Sequence, residues 1–209
     1  MIHVIDRTNA DGHGEMLRAF ASLRYQTFVA GLGWRIPCRE PGLEEDQFDD
    51  GNAVYLLVTA AGGRLAGGAR LLDTSRRSLL GEVFSHLVHG RVPADPKVFE
   101  VTRFVVAPEF RTPAAGSADR RIDVCAALLW GLQAYGHWTG LRHLVSVSYV
   151  GMEPIFRRAG YRFHRLGDVL EIDGARVAAF QHDIDANALE RSRQRTGAPC
   201  YLLTSRGPI

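Results

Sequence analysis

The chain has 209 residues, of which 46% are hydrophobic and 23% charged, and its formal net charge is only +2. These values are typical of a folded globular protein and exclude a disordered or fibrous chain. The length allows one sizeable core, so we expect residues 1–209 to form a single domain. Basic residues occur in short runs such as Arg76-Arg77, which gives little support to nucleic-acid binding.

Three features of the sequence bear on metals and on cell compartment. Cys38, Cys125 and Cys200 are far apart and lack the spacing of a zinc site or a redox pair, and the eight histidines are scattered. We therefore predict no metal site. We expect a cytoplasmic protein that does not bind membranes, because no apolar run reaches membrane-spanning length and the first residues do not resemble a signal peptide.

The first half of the chain alternates between periodic segments and one long polar loop. Apolar residues spaced by three and four predict a helix over 14–30. Residues 31–52 are rich in glycine, proline and acids, and a loop of this length is more often functional than idle. Strands at 53–60 and 64–73 are predicted to form a hairpin, followed by a short helix over 79–89.

The second half continues with strands and helices in alternation. A strand is predicted over 98–106, a loop over 109–119 and an amphipathic helix over 120–139. The remaining predictions are strands at 143–149, 161–166 and 176–183, and helices at 151–159 and 185–195. Interleaved helices and strands indicate an α/β fold, a mixed sheet covered by helices in a three-layer α-β-α sandwich.

Charged residues occur within segments that are otherwise apolar. Arg24, Arg70 and Arg103 lie in a predicted helix and in two predicted strands, while Asp46 and Asp49 lie in the 31–52 loop. Arginines and carboxylates are rarely buried unless they are paired. These residues therefore predict an ion network, which could surround a charged small molecule or could simply pin the loop to the sheet.

The order of motifs along residues 23–106 resembles the acyl-homoserine lactone synthase family, the autoinducer synthases. The resemblance rests on Leu23-Arg24-x-x-x-Phe28, Leu32-Gly33-Trp34, Glu45-Asp46-Gln47-Phe48-Asp49, Tyr55-Leu56, Arg70-Leu71 and Glu100-x-x-Arg103-Phe104. It implies a fold similar to the GNAT acetyltransferases, with a V-shaped cleft in the sheet. It also implies an enzyme that makes a quorum-sensing signal.

The reaction implied by the resemblance has two steps. An acyl group passes from a thioester of acyl carrier protein or coenzyme A to the amine of S-adenosylmethionine, and lactonisation then releases methylthioadenosine. Both molecules are substrates, and no tightly bound cofactor is expected. The α-amino group must lose a proton before it attacks, and Glu100 is the best candidate for the catalytic base.

The resemblance also suggests roles for other residues. Expected contacts with S-adenosylmethionine come from Arg24, Phe28, Trp34, Asp46, Arg70 and Arg103. Asp49 and Phe84 are expected to be structural. The tentative acyl pocket consists of Val145, Ser146, Val147, Met152, Ile155 and Phe156. Ser146 matches a small hydroxyl position that accompanies 3-oxo recognition in this family.

Two other functions stay open at this stage. An ordinary acetyl-coenzyme A N-acetyltransferase would carry a glycine-rich phosphate loop after the central strand, but residues 108–116 contain one glycine. A non-catalytic module that binds an acyl or adenosyl ligand would not need Glu100. Arg120-Arg121 and Arg157-Arg158 could dock an acidic carrier protein, while the acyl chain, the carrier and the oligomeric state cannot be predicted.

Overall fold

The computed structural model of the chain describes residues 1–36, 38, 40–111, 123–196, 202–204 and 207–208. Its contacts divide the chain into two compact units, each assembled from separate segments. The first unit comprises residues 1–70, 103–128 and 198–209, and the second comprises residues 71–102 and 129–197. The expectation of a single domain over residues 1–209 stays a prediction.

The described residues form ten strands and five α-helices. The strands are β1 (Ile2–Ile5), β2 (Val54–Thr59), β3 (Leu65–Asp73), β4 (Val98–Val106), β5 (His143–Tyr149), β6 (Phe163–Arg165), β7 (Leu170–Ile172), β8 (Ala175–Asp183), β9 (Leu202–Thr204) and β10 (Gly207–Pro208). The helices are α1 (Gly14–Arg24), α2 (Leu79–Glu82), α3 (Val124–Trp138), α4 (Glu153–Arg158) and α5 (Ala186–Thr196). No helix among them combines the length and apolar composition needed to cross a bilayer.

The first unit is built around the strand order β10-β9-β1-β2-β3, with the last part of β4 beside the first part of β3. β1 runs antiparallel to β2 and parallel to β9. Helix α1 continues directly into a π-helical segment, Tyr25–Gly31, which ends before the long loop. The core of this unit contains Ile5, Phe20, Leu23, Phe28, Leu57, Val105 and Ala107.

Gly68 in β3 allows α1 to approach the sheet closely. A Cβ atom at this position would lie 2.5 Å from Leu57 Cδ2 and 2.7 Å from Phe20 Cε2, well inside normal contact distance. Only glycine leaves enough space there for the Phe20 ring. Helix α1 is thus seated against β3, and Arg24 at its last turn is fixed near the sheet.

The second unit contains the strand order β4-β5-β8-β6, and β7 pairs with β8 outside this path. β4 and β5 are parallel, whereas β8 is antiparallel to β5. The β4–β5 ladder starts at the pair Val98–His143 and ends at the pair Val101–Ser146, although β5 continues to Tyr149. β4 and β5 therefore stop pairing at this point. A V-shaped cleft requires two neighbouring strands to separate in this way.

Most elements predicted from periodicity are confirmed. The helix over 14–30, the strands over 98–106 and 143–149, and the helix over 120–139 are present, with α3 beginning at Val124. The helix over 79–89 is wrong in length, because α2 ends at Glu82 and only a 3₁₀ turn, Ser85–Leu87, follows. β1, β7, β9 and β10 were not predicted, and most of the predicted 109–119 loop lies outside the described residues.

Candidate functional site

Six charged side chains of the first unit, four of them buried and two partly buried, form one ion network with equal numbers of positive and negative groups. Arg24 and Arg70 are 1% and 0% exposed, and Glu44 is 0% exposed. Side chains this deeply buried must be paired to remain charged. The members of the network are Arg24, Arg70, Arg103, Glu44, Asp46 and Asp49.

The arginines come from regular elements and the carboxylates come from the long loop. Arg24 donates from Nη1 and Nη2 to the two oxygens of Asp49 at 2.7 and 2.8 Å, and its Nε donates to Glu44. Arg70 on β3 donates from both Nη atoms to Asp46 at 2.6 and 2.9 Å. These two-point contacts are the strong geometry for an arginine–carboxylate pair, so they fix the loop against the helix and sheet.

The loop is also held by its own backbone. Asp49 Oδ2 accepts a hydrogen bond from the Asp46 N–H at 2.9 Å, and Asp46 Oδ1 accepts one from the Phe48 N–H at 2.8 Å. The Glu44 N–H donates to the carbonyl of Ala21 in α1. The carboxylates of Asp46 and Asp49 therefore both shape the loop and neutralise arginines.

The network favours the charged forms of Asp49 and Arg24. Burial alone would raise the pKa of Asp49, but the hydrogen bond from Arg24 and the charges of Arg70 and Arg24 outweigh it and hold that pKa well below its usual range. Burial would lower the pKa of Arg24, but Asp49 and Glu44 outweigh it and raise that pKa. Burial and the Asp49 charge raise the pKa of Tyr55, whose hydroxyl donates to Asp49 at 2.9 Å.

Arg103 is hydrogen-bonded less completely than Arg24. Nε and Nη2 donate to Glu44 at 3.0 Å each, and Nη2 also donates to Asp46 at 2.7 Å. Nη1 has no hydrogen-bond partner among the residues that the structure describes. The network therefore has donor capacity left at Arg103, while Arg24 already uses all three of its nitrogens.

An aromatic pair lies beside this guanidinium. The rings of Phe28 and Trp34 stack with centroids 4.7 Å apart and an interplanar angle of 17°. Arg103 Cζ is 5.8 Å from the Phe28 ring and 6.0 Å from the Trp34 ring. Phe28 is supplied by the π-helical segment and Trp34 by the loop that follows it. The two rings provide a flat apolar face next to the hydrogen-bond donor of Arg103.

The backbone of β4 is strained at Arg103. Its φ of 53° lies in the left-handed region, which non-glycine residues rarely adopt. Buried residues alternate along the first part of β4, at Val98, Glu100 and Thr102. The alternation then shifts by one residue, so that Arg103 and Val105 are buried. A local irregularity of this kind re-aims side chains, and such strain persists mainly at functional sites.

Glu100 belongs to the second unit and is fully buried. Its Oε1 accepts a hydrogen bond from the backbone N–H of Leu80 at 2.9 Å. Val145 lies directly opposite on β5, so the carboxyl group is on the same face as an apolar cluster formed by Leu80, Val98 and Val145. Phe84 packs against the same cluster. A buried carboxylate can take part in proton transfer, and the catalytic role stays a prediction.

The six proposed acyl-pocket residues do not lie together. Val145 and Val147 belong to the cluster beside Glu100. Ser146 lies on the opposite face of β5, because successive strand residues alternate, and it bonds to His182, against which Phe156 of α4 packs. Met152 and Ile155 are partly buried at and near the start of α4. The predicted pocket therefore grouped residues that lie on opposite faces of β5.

Sequence reasoning overlooked Glu44, Tyr55 as a network member, and His182. Glu44 is one of several acids in a loop, where no periodicity separates a buried carboxylate from an exposed one. Of the predicted docking arginines, Arg157 pairs with Glu153 at 2.8 Å, and Arg120-Arg121 lie outside the described residues. The described residues include no cluster of histidine, cysteine and acidic side chains that could hold a metal ion.

Comparison with known proteins gives consistent results across sequence and structure. Residues 9–192 match the family described as autoinducer synthase. An acyl-homoserine-lactone synthase of Ralstonia solanacearum is 39% identical over 171 residues, covering 81% of this chain and 82% of the relative. An isovaleryl-homoserine lactone synthase of Bradyrhizobium diazoefficiens is 30% identical over 203 residues, covering 97% of this chain and 88% of the relative.

A solved structure covers the whole fold. It is that of a coenzyme A-dependent acyl-homoserine lactone synthase with S-adenosylmethionine and isopentyl-coenzyme A. The TM-score is 0.88 at 30% identity, and the match covers 100% of this chain and 94% of that one. The predicted GNAT-like α/β fold class is confirmed by this match.

Proposed function

Because the chain belongs to the autoinducer synthase family, we propose that it is an acyl-homoserine lactone synthase that acylates the amine of S-adenosylmethionine and closes the lactone. The observation that carries the proposal is the ion network with Arg103, whose Nη1 has no hydrogen-bond partner among the described residues, beside the stacked rings of Phe28 and Trp34. S-adenosylmethionine offers a carboxylate, a cationic sulfonium and a flat adenine, which this set of groups complements.

In the proposal, some residues of the site contact the substrate and others hold those residues in place. Nη1 of Arg103 binds the substrate carboxylate, while Phe28 and Trp34 contact the sulfonium and adenosyl portions. A cation near an aromatic face gains about 0.5–2 kcal/mol. Arg24, Asp46 and Arg70 act indirectly, because their hydrogen bonds to one another and to Glu44 and Asp49 hold Arg103 in place.

The chemistry proceeds in two balanced steps. Glu100, directly or through one water, accepts a proton from the α-ammonium group, and the free nitrogen attacks the thioester carbonyl. The C–N bond forms, the C–S bond breaks, and the sulfur takes the second proton that the nitrogen loses and leaves as a thiol. The substrate carboxylate then attacks the carbon next to the sulfonium, which breaks that C–S bond and releases neutral methylthioadenosine with the lactone.

We propose acyl-coenzyme A as the first donor to test, since a similar enzyme with full coverage of this chain is described as coenzyme A-dependent. Acyl carrier protein remains the second candidate donor. Ser146, Met152, Ile155 and Phe156 are the proposed acyl contacts, because the β4–β5 ladder ends at Ser146 and α4 packs on that face. Such donors are cytoplasmic metabolites, which supports a cytoplasmic location.

The decisive experiment is mass spectrometry of a reaction that contains purified protein, S-adenosylmethionine and a panel of acyl-coenzyme A and acyl carrier protein thioesters. We expect an N-acyl homoserine lactone and methylthioadenosine in equal amounts. Acetylation of an amine without methylthioadenosine would instead indicate an N-acetyltransferase. Tight binding of both substrates without any product would indicate a non-catalytic binding module.

A further inference from the structure

The short helix α2 supplies a hydrogen bond that holds the carboxylate of Glu100. Leu80 is the second residue of α2, and its backbone N–H donates to Glu100 Oε1 at 2.9 Å. The N–H groups in the first turn of a helix have no acceptor within the helix, so they bond to groups outside it. Leu80 and Glu100 are both 0% exposed and lie in the second unit, so this contact is made away from water.

The next N–H group of the same turn bonds to a serine hydroxyl. Gly81 donates from its backbone N–H to Ser78 Oγ at 3.2 Å. Ser78 directly precedes α2 and has an extended backbone, which is the geometry of a residue that caps the N-terminus of a helix. Ser78 and Glu100 therefore accept hydrogen bonds from two adjacent N–H groups of one turn.

Helix α2 spans only four residues, and an isolated helix of this length is not stable in water. Ser78 holds the turn twice, because its carbonyl also accepts a hydrogen bond from the Glu82 N–H at 3.0 Å. Leu80 holds it by packing in the apolar cluster that contains Val98 and Val145. Loss of the Ser78 hydroxyl would loosen the turn and change the direction in which the Leu80 N–H meets Glu100.

We infer that Ser78 is a positioning residue that keeps the Glu100 carboxylate oriented for proton transfer, acting through the backbone N–H of Leu80. A general base must lie within hydrogen-bond reach of the proton that it accepts, and small displacements of a reacting group lower the rate strongly. The inference rests on the proposed function, in which Glu100 accepts a proton from the substrate amine. Ser78 acts on that step without touching the reacting atoms.

The test compares kcat and the KM for S-adenosylmethionine in the wild type, Ser78→Ala and Ser78→Thr. We expect Ser78→Ala to lower kcat about tenfold, as for the loss of one hydrogen bond, and to leave KM unchanged. Ser78→Thr keeps a capping oxygen and should retain most of the rate. An open cavity of about 280 Å³ beside Ser78, lined also by Thr74, Gly81 and Val92, leaves space for the added methyl group.

A double-mutant cycle separates positioning of Glu100 from a general effect on the fold. In the Glu100→Gln background the basic oxygen is already absent, so Ser78→Ala should cause no further loss of kcat. An equal loss in both backgrounds would mean that Ser78 acts on the fold as a whole, and it would overturn the inference. Wild-type kcat in Ser78→Ala or in Glu100→Gln would overturn it as well.

Asp185→Ala is the matched control, because Asp185 Oδ1 accepts a hydrogen bond from the Ala188 N–H at 2.6 Å in the first turn of α5. It removes a cap of the same kind from a different helix of the second unit and should leave kcat at the wild-type level. A tenfold loss in this control too would overturn the inference.

A second variant covers the case in which Ser78→Ala does not fold. Ser78→Gly removes the same hydroxyl, and glycine is tolerated better than alanine at this position of a helix, so its kcat then decides the question. A wild type that makes no lactone from any donor would refute the proposed function itself, and the role of Ser78 with it.

Discussion

At the scale of single residues, the charge balance of the ion network explains why each member matters. Three arginines face three carboxylates, and nearly every oxygen and guanidinium nitrogen has a partner. In such a network the loss of one charge leaves its partners buried and uncompensated. That penalty is much larger than the value of an exposed ion pair.

Glu44 tests this argument, because it bridges Arg24 and Arg103 and was not recognisable in the sequence. We expect Glu44→Gln to lower the free energy of unfolding by about 3–5 kcal/mol, since two arginines lose the same carboxylate. Urea-induced unfolding measures the change. Glu40→Gln is the control, because the Arg18–Glu40 pair is largely exposed and should contribute less than about 1 kcal/mol. Equal effects of both substitutions would contradict the argument.

Glu100 tests the chemical proposal separately from stability. Replacing Glu100 by Gln keeps the shape and can still accept a hydrogen bond from the Leu80 N–H, but it removes the basic oxygen. We expect turnover to fall by about 10²–10⁴-fold, the range for loss of a general base. Binding of S-adenosylmethionine, measured by calorimetry, should be nearly unchanged.

The control for this substitution is Glu82→Gln in the same unit. Glu82 pairs with Arg77 at the surface, so its replacement should leave turnover at the wild-type level. If Glu100→Gln is as active as Glu82→Gln, Glu100 is not the base.

At the scale of elements, the position of α1 against β3 determines where Arg24 meets the loop. Gly68→Ala introduces a Cβ 2.5 Å from Leu57 and 2.7 Å from Phe20, so these side chains, or α1 with them, must shift. We expect a loss of about 1–3 kcal/mol in unfolding free energy, as for other overpacked cores. Gly51→Ala is the control, because nothing lies within 4 Å of a Cβ there. Thermal unfolding of both variants would show whether close packing is required.

The elements also show which parts of the molecule can be read from a sequence. α3, β4 and β5 were predictable because their apolar patterns are long and local. β1 and β7 have four and three residues, too few for a pattern, and they depend on pairing with distant strands. The sequence analysis grouped Ser146 with Val145 because the two residues are adjacent. Adjacent side chains of a strand, however, point to opposite faces of the sheet.

The candidate site, like the helices and strands, could be predicted only in part from the sequence. Arg24, Phe28, Trp34, Asp46 and Arg103 do come together in the first unit, because ordered motifs carry information that periodicity lacks. The partner of each arginine was not predictable, since loop residues such as Glu44 and Asp49 are sorted only by three-dimensional packing. His182 lies on β8 and not in a loop, and its burial likewise depends on three-dimensional packing.

At the scale of the whole molecule, buried titratable groups make folding depend on pH. His182 is neutral when folded, with a pKa lowered to about 3, whereas an unfolded histidine titrates near pH 6.5. Between these values the unfolded chain binds a proton that the folded chain does not. Stability from this group is therefore complete above pH 6.5 and is lost as the pH falls toward 3.

We expect the free energy of unfolding to decrease as the pH falls from 7 to 4.5, with His182 contributing at most about 1.4 kcal/mol per pH unit. Asp49, whose pKa is held low, contributes mainly below this range because its unfolded pKa is near 4. Urea unfolding at several pH values measures the slope, and His182→Gln isolates the histidine because Gln does not titrate. The variant should show a flatter profile than the wild type over this range. Parallel profiles would mean that the imidazole gains a proton inside the folded protein, and the predicted contribution of His182 would then be wrong.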